Sequence, residues 1–149
     1  MISPLNFLVW NIRGAARADS QRYLHKLCNR NRIRLVVLLE PKANTDTLTL
    51  LGWKLNYSKA QSFLEGKVWV FWSDDVSLAF HVLGDQLVHM VISWVGFSLQ
   101  VSAMYAKCTR VGRRGLWKAM EAVHERFSGP WLVAGDFNMV SAASELSDG

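Results

Sequence analysis

The residues of this 149-residue chain whose side chains could take part in catalysis lie at the ends of short apolar runs. One such run, "WLVAG", leads directly into the sequence Asp136-Phe137-Asn138. Four runs end in this way, and the polar residues that follow or close them are Asn11, Glu40, Tyr105, Asp136 and Asn138. Carboxylate and amide oxygens are hard ligands that suit Mg²⁺ or Mn²⁺ and a phosphate substrate.

Each of these residues, taken alone, also has a plainer interpretation. Asn11 fits an Asx turn, and Asp136 with Asn138 fits a turn or a helix cap. Glu40 fits a solvated strand end, and Tyr105 fits an interface aromatic. Only their joint placement favours a catalytic site, because open α/β sheets form sites beyond the carboxyl ends of their strands.

The elements that position Asn11 and Glu40 are predicted to form a strand–helix–strand unit. Residues 5–11 and 33–40 are apolar runs, and the second is continuous enough to indicate a strand buried on both faces. Between them, Asp19 or Ser20 is predicted to cap a helix. The apolar side of that helix is predicted to carry Tyr23, Leu24, Leu27 and Cys28.

The middle of the chain has a different pattern. Four successive β candidates are separated by short turn segments, which predicts hairpins and an antiparallel meander over 67–72, 76–82, 86–94 and 97–105. In the last of these, apolar residues alternate with Ser98, Gln100 and Ser102, so that strand is predicted to have one wetter face.

The last third returns to alternating helix and strand. The apolar residues Leu116, Met120, Val123 and Phe127 recur at helical spacing. Gly129-Pro130 is predicted to end this helix, and residues 131–135 then form a short buried strand. The whole chain is therefore predicted to be a mixed α/β protein whose strand ends carry the chemistry.

Composition excludes several classes of protein. Half of the residues are hydrophobic and only 19% are charged, so the chain is predicted to fold around a core. No apolar run approaches the length of a membrane span, so no membrane association is predicted, and the first residues lack the pattern of a secretory signal. Cys28 and Cys108 have no metal or redox spacing, and free thiols are favoured over a disulfide.

The net charge of +5 is unevenly distributed. Residues 12–34 hold seven basic residues and one acidic residue, and residues 107–126 hold six basic residues and two acidic ones. Two basic segments in an otherwise acidic chain suggest a surface for a polyanion, with solvated helix faces as the plainer alternative.

The motifs "WNIRG", "LLEPK", "YAKCTR…RGLW" and "PWLVAGDFN", in this order and at these distances, resemble the endonuclease/exonuclease/phosphatase superfamily. The greatest similarity is to the endonuclease domain of plant LINE-type (non-LTR) retrotransposons, from about Leu5 onward. The resemblance implies a four-layer α/β sandwich of two sheets flanked by helices. It also implies hydrolysis of phosphate esters with a divalent metal, DNA as the partner, and a nuclear location as a reasonable expectation.

The resemblance also implies a role for each motif residue. Glu40 matches the metal-binding glutamate, with Asn11 beside the metal. Asp136 matches the aspartate that deprotonates the attacking water, Asn138 the amide that positions water and phosphate, and Tyr105 the tyrosine near the scissile phosphate. The predicted contacts to phosphate or nucleic acid are Arg13, Lys107, Arg110, Arg113 and Arg114.

Three departures from the family pattern qualify this prediction. Arg13 stands where many members carry Asp or Asn, and Cys108 stands where many carry an asparagine. The later part of the family, with a second aspartate and a Ser-Asp-His motif, has no counterpart before Gly149. Residues 1–149 are therefore predicted to be a single incomplete domain, truncated at its C-terminus, with weak activity or none. The chain is expected to be a decayed element, a mis-split gene model or the front of a longer retrotransposon polyprotein with reverse transcriptase.

Three functions remain open from the sequence. The first is DNA nicking by a metal-dependent endonuclease. The second keeps the superfamily but changes the substrate to a phosphomonoester or an inositol phosphate. The third is a nucleic-acid-binding remnant without catalysis, whose binding would depend steeply on salt.

Overall fold

The computed structural model describes residues 5–137 of the chain. Three helices and eight strands are present in this part. The helices are α1 (Ala18–Asn31), α2 (Thr45–Lys54) and α3 (Arg114–Arg126). The strands are β1 (Phe7–Asn11), β2 (Leu35–Leu39), β3 (Lys59–Phe63), β4 (Val68–Trp72), β5 (Ser77–Leu83), β6 (Leu87–Trp94), β7 (Phe97–Tyr105) and β8 (Trp131–Asp136).

The strands form two mixed sheets of four. Sheet A has the order β1-β2-β4-β3, in which β1 and β2 are parallel and the other pairings are antiparallel. Sheet B has the order β5-β6-β7-β8, in which β5, β6 and β7 form an antiparallel meander and β8 is parallel to β7. The predicted α/β sandwich is thus confirmed.

Three hydrophobic clusters separate four layers. The central cluster lies between the two sheets, where Val37 and Val70 of sheet A meet Met90 and Val101 of sheet B. A second cluster packs α1 and α2 on the outer face of sheet A, and a third packs α3 on the outer face of sheet B. Strand β2 is fully buried because its alternate side chains enter the first and second clusters. Burying a side chain of this size stabilises the fold by about 1.5–3 kcal/mol.

The end of β8 depends on a glycine. Gly135 has φ +143°, and a Cβ built there would lie 2.1 Å from the carbonyl oxygen of Met104. Met104 is the residue of β7 that pairs with Gly135. Only glycine allows the two backbones to approach this closely, and the next residue in the strand is Asp136.

Two features of the first half differ from the prediction. Helix α2 and strand β3 were not predicted, and β4 does not belong to the meander but pairs with β2 and β3 in sheet A. The apolar sequence of β4 predicts a strand but does not indicate which strands it pairs with.

Details of α1 also correct the prediction. Its N-cap residue is Arg17, which makes no side-chain capping bond, and Asp19 lies in the first turn instead, where it accepts from Arg22 at 2.7 Å. Tyr23 is 56% exposed, although its ring packs edge-on against Trp10. Leu24 and Cys28 are buried as predicted.

On the predicted wetter face of β7, Gln100 and Ser102 are buried instead, while Ser98 is exposed as predicted. Gln100 and Ser102 lie beneath the end of α3 and bracket the buried His89 of β6, with His89 Nδ1 2.8 Å from Ser102 Oγ and Nε2 3.0 Å from Gln100 Oε1. Burial lowers the pKa of His89, so the ring is neutral in this network. Satisfied hydrogen bonds thus allow polar residues where alternation predicts solvent. Strand β8, predicted to be buried, is only partly so, with Leu132 43% exposed.

Both cysteines are free thiols, with Cys28 buried and Cys108 exposed, as predicted. Within residues 5–137, no helix has the length and apolar character needed to cross a membrane.

Candidate active site

The predicted site residues gather where strands of both sheets end. Asn11 closes β1, and Glu40 follows β2, the parallel neighbour of β1. Tyr105 and Asp136 are paired at the ends of the parallel strands β7 and β8. Because β1 of sheet A lies against β8 of sheet B, all four side chains come to one edge of the sandwich. Asn138 lies outside the described residues.

One hydrogen bond joins the C-terminal end of β1 in sheet A to the C-terminal end of β8 in sheet B. Asn11 Nδ2 donates to Asp136 Oδ2 at 3.1 Å. The other polar atom of the amide, Asn11 Oδ1, is buried and has no hydrogen-bond partner within residues 5–137. A buried acceptor without a partner costs free energy, so this oxygen is suited to a donor or a cation that arrives from outside.

A second hydrogen bond also crosses between the sheets. The hydroxyl of Tyr105 donates to Glu40 Oε1. This bond raises the pKa of Tyr105 to about 12, with further contributions from burial and from the negative charges of Glu40 and Asp136. Tyr105 is therefore a neutral hydrogen-bond donor at physiological pH.

The pKa of Tyr105 gives a test of this pairing. In a Glu40→Gln variant the carboxylate charge is lost, and the pKa of Tyr105 should fall from about 12 toward the ordinary value of about 10. A titration followed by NMR of ¹³C-labelled tyrosine measures this shift. Tyr57, whose hydroxyl donates to the Ile33 carbonyl at 2.6 Å, is the internal control and should not respond. An unchanged Tyr105 pKa would contradict the pairing.

The loops beneath the site are fixed by main-chain bonds. The amide of Ile12 donates to the Leu39 carbonyl at 3.1 Å, and that of Gly14 donates to the Glu40 carbonyl at 3.0 Å. Arg13 and Glu40 both have left-handed backbone conformations, with φ of +51° and +50°. Such conformations are costly outside glycine and recur at functional sites. They bring Arg13 Nε to 3.9 Å from Glu40 Oε2.

The donor set fits a hard divalent cation. No group of three or more His, Cys, Asp and Glu residues that would hold a metal is present within residues 5–137. The site offers the carboxylates of Glu40 and Asp136 and the unpartnered Oδ1 of Asn11. Mg²⁺ commonly binds through one or two carboxylates and keeps several waters, so this sparse set of oxygens suits it.

A cavity of about 300 Å³ opens beside Glu40 and Tyr105. Its walls come from the loop after β2 and from the β3–β4 hairpin, and they include Lys42 and Lys67. Lys67 Nζ also lies 5.8 Å from the centre of the Tyr105 ring. The sequence prediction assigned no role to these lysines. Lys42 lies two residues after Glu40 and is therefore detectable from the sequence, but Lys67 reaches the site only through tertiary structure.

Of the four basic residues after β7 that are predicted to contact phosphate or nucleic acid, two make contacts within the protein and two are exposed. Lys107 forms an ion pair with Asp85 at 2.8 Å. The guanidinium of Arg113 donates to the carbonyls of Lys107 and Cys108, which folds the loop back on itself. Arg110 and Arg114 are exposed. The loop begins next to the site, since the Ala106 amide donates to the Asp136 carbonyl at 2.8 Å.

Residues 8–149 match the Endonuclease/Exonuclease/phosphatase family, and the chain belongs to this family of phosphate-ester hydrolases. No curated protein matches the sequence at a significant level. The family assignment and the sandwich fold agree with the resemblance drawn from the motifs.

Solved structures with this fold include nucleic-acid enzymes. The D. rerio TDP2 structure complexed with a single-strand DNA product has a TM-score of 0.67 at 15% identity, covering 97% of this chain and 65% of that one. The endonuclease domain of TRAS1, a telomere-specific non-LTR retrotransposon, has a TM-score of 0.66 at 15% identity, with coverage of 93% and 63%. The human Nocturnin catalytic domain has a TM-score of 0.61 at 17% identity, with coverage of 88% and 64%. The chain therefore spans about two thirds of their length.

Proposed function

We propose that this chain is part of a divalent-metal-dependent phosphodiesterase that nicks DNA, as a LINE-type retrotransposon endonuclease does. The observation that carries the proposal is the pair of side-chain hydrogen bonds between the sheets, Asn11 with Asp136 and Tyr105 with Glu40. They bring to one edge the side chains that we propose as the base, the metal-binding carboxylate and two neutral donors.

Each residue has a role in this chemistry. Asp136 accepts a proton from the attacking water, and Asn11 orients the Asp136 carboxylate. Tyr105, which remains protonated, transfers its single hydroxyl hydrogen bond from Glu40 to an oxygen of the substrate phosphate when substrate binds. Glu40 and the Oδ1 of Asn11 would hold Mg²⁺ or Mn²⁺, which when bound neutralises the charge that develops on the phosphate. Asn138 is proposed, from the motif alone, to position the water and the phosphate.

Two features support a nucleic acid as the substrate. Lys42 and Lys67 flank the cavity beside Glu40, and exposed Arg110 and Arg114 follow the strand that carries Tyr105. These cations are suited to phosphates on both sides of a scissile bond. In the proposed biological setting, the rest of a retrotransposon polyprotein with reverse transcriptase is the partner.

The proposal is tested by the conversion of supercoiled plasmid to the nicked form in Mg²⁺, using this chain and a C-terminally extended version. Nicking by the extended version is the expected result, and no nicking by either would contradict the proposal. Release of phosphate from inositol phosphates in preference to DNA would favour a phosphomonoesterase. Salt-dependent DNA binding without nicking would indicate a non-catalytic remnant.

Metal removal and Glu40→Gln should have similar effects. EDTA should abolish nicking, and added Mn²⁺ or Mg²⁺ should restore it. Glu40→Gln removes one carboxylate ligand and should weaken Mn²⁺ binding by more than about 10- to 100-fold, the loss expected when only an outer partner of a metal ligand is removed. Isothermal titration with Mn²⁺ measures this, with Glu65→Gln, which replaces a carboxylate of the β3–β4 hairpin, as the matched control. Equal Mn²⁺ affinity in the Glu40→Gln and wild-type proteins would remove Glu40 from the metal site.

A further inference from the structure

The carboxylate of Glu40 has a different partner at each oxygen. Oε1 accepts a hydrogen bond from Tyr105, and Oε2 faces Arg13 Nε at 3.9 Å. The Arg13 side chain is 72% exposed, whereas that of Glu40 is only 19% exposed. The ion pair with Arg13 is therefore the weaker and more accessible of the two contacts.

The backbone keeps Arg13 beside the carboxylate even though the pair is weak. Arg13 and Glu40 both have positive φ, and the Gly14 amide donates to the Glu40 carbonyl. The loop after β1 is thus attached to the loop after β2 by a main-chain bond next to Arg13. The guanidinium can leave Oε2 by side-chain rotation alone and still remain at the site.

Binding of a divalent cation at Glu40 conflicts with the present position of Arg13. A cation at Oε2 would meet the positive guanidinium, and repulsion between like charges in a partly buried site is costly. Tyr105 is neutral and holds the other oxygen, so it does not oppose the cation. Arg13 is consequently the group that must move.

We propose that Arg13 and the divalent cation compete for Glu40 Oε2, and that cation binding releases the Arg13 guanidinium to bind the substrate phosphate. This inference rests on the proposed function, in which Glu40 holds the cation. Arg13 then acts as a positioning residue that couples the two binding events. By thermodynamic linkage, metal raises the affinity for phosphate and phosphate raises the affinity for metal by the same factor.

The first test measures Mn²⁺ binding by electron paramagnetic resonance, without any catalytic readout. Arg13→Gln removes the competitor and should tighten Mn²⁺ binding about three- to tenfold, the range expected for losing one nearby charge at a partly solvated site. Arg30→Gln removes the same charge from the last turn of α1, remote from Glu40, and should leave Mn²⁺ binding unchanged. In a Glu40→Gln background, Arg13→Gln should not tighten Mn²⁺ binding.

The second test measures the coupling itself. Binding of a fluorescent phosphorothioate oligonucleotide, which resists cleavage, is compared with and without Mn²⁺. Mn²⁺ should strengthen oligonucleotide binding more in the wild-type protein than in Arg13→Gln, because only the wild-type protein releases a guanidinium.

The outcomes separate this inference from the proposed function. Equal or weaker Mn²⁺ binding by Arg13→Gln, or equal coupling in both proteins, overturns the role of Arg13 even where plasmid nicking is observed. Tighter Mn²⁺ binding with the coupling lost in Arg13→Gln upholds it even where no nicking occurs. If neither protein binds Mn²⁺, the role of Arg13 and the assignment of the cation to Glu40 both fail, whatever the outcome of the nicking assay.

Discussion

Asp136→Asn should reduce the rate of DNA nicking by about 10²–10⁴-fold, the usual contribution of a general base. The substitution keeps the size of the side chain, and the amide oxygen still accepts from Asn11 Nδ2, which is 3.1 Å from the carboxylate in the present structure. What is lost is the ability to accept a proton from water. The rate of plasmid nicking by the C-terminally extended version under single-turnover conditions measures the effect.

The interpretation of Asp136→Asn requires that the fold is retained. The thermal unfolding midpoint should change little, because the hydrogen bond between β1 and β8 persists. Glu125→Gln, which neutralises an exposed carboxylate on α3, is the matched control and should nick at the wild-type rate. A nearly normal rate for Asp136→Asn would show that another group takes the proton.

Gly135→Ala should lower the free energy of unfolding by about 3 kcal/mol or more, at or above the upper end of the usual range for single substitutions. The new methyl group would lie 2.1 Å from the Met104 carbonyl oxygen and 2.9 Å from the Met104 amide nitrogen. Both atoms belong to the backbone of β7, so no side chain can move aside to relieve the contact. Strand β8 must separate from β7, and Asp136 moves with it.

A second glycine distinguishes the clash from backbone strain. Gly84 also has positive φ, +72°, but a Cβ there meets no atom within 4 Å. Gly84→Ala should therefore cost only about 1 kcal/mol, from the unfavourable φ alone. Urea denaturation of both variants gives the comparison. Equal destabilisation would mean that the close approach to Met104 is not what requires glycine at residue 135.

The strands that carry the site were predictable because they are apolar runs with polar ends. Strand β2 is fully buried, which is why its continuous run of Val and Leu was informative. Strand β3 has no such signal, because its sequence "KAQSF" is mostly polar and contains no β-branched residue. In the structure its residues are mostly exposed. Helix α2 was missed although Asn44 caps it by accepting from the Thr47 amide at 3.0 Å, a signal that was present in the sequence.

The site was predictable as a set of residues but not as a set of contacts. Asn11 and Asp136 are 125 residues apart, and nothing local indicates that one amide atom would be bonded and the other left without a partner. The burial of Gln100 and Ser102 had the same origin, because their partner His89 comes from the neighbouring strand. Such pairings are decided when strands and sheets pack.

The division of the sandwich along the chain has a consequence for how the site is assembled. All strands of sheet A lie before residue 73, and all strands of sheet B lie after residue 76. The strands of sheet A thus belong to the N-terminal half of the chain and those of sheet B to the C-terminal half. Each of the two hydrogen bonds at the site joins one residue from the N-terminal half to one from the C-terminal half. Neither half of the chain contains both residues of either hydrogen-bonded pair. Separately expressed halves would therefore form the two hydrogen bonds only after they associate, and formation of the site would show that the two sheets have packed together.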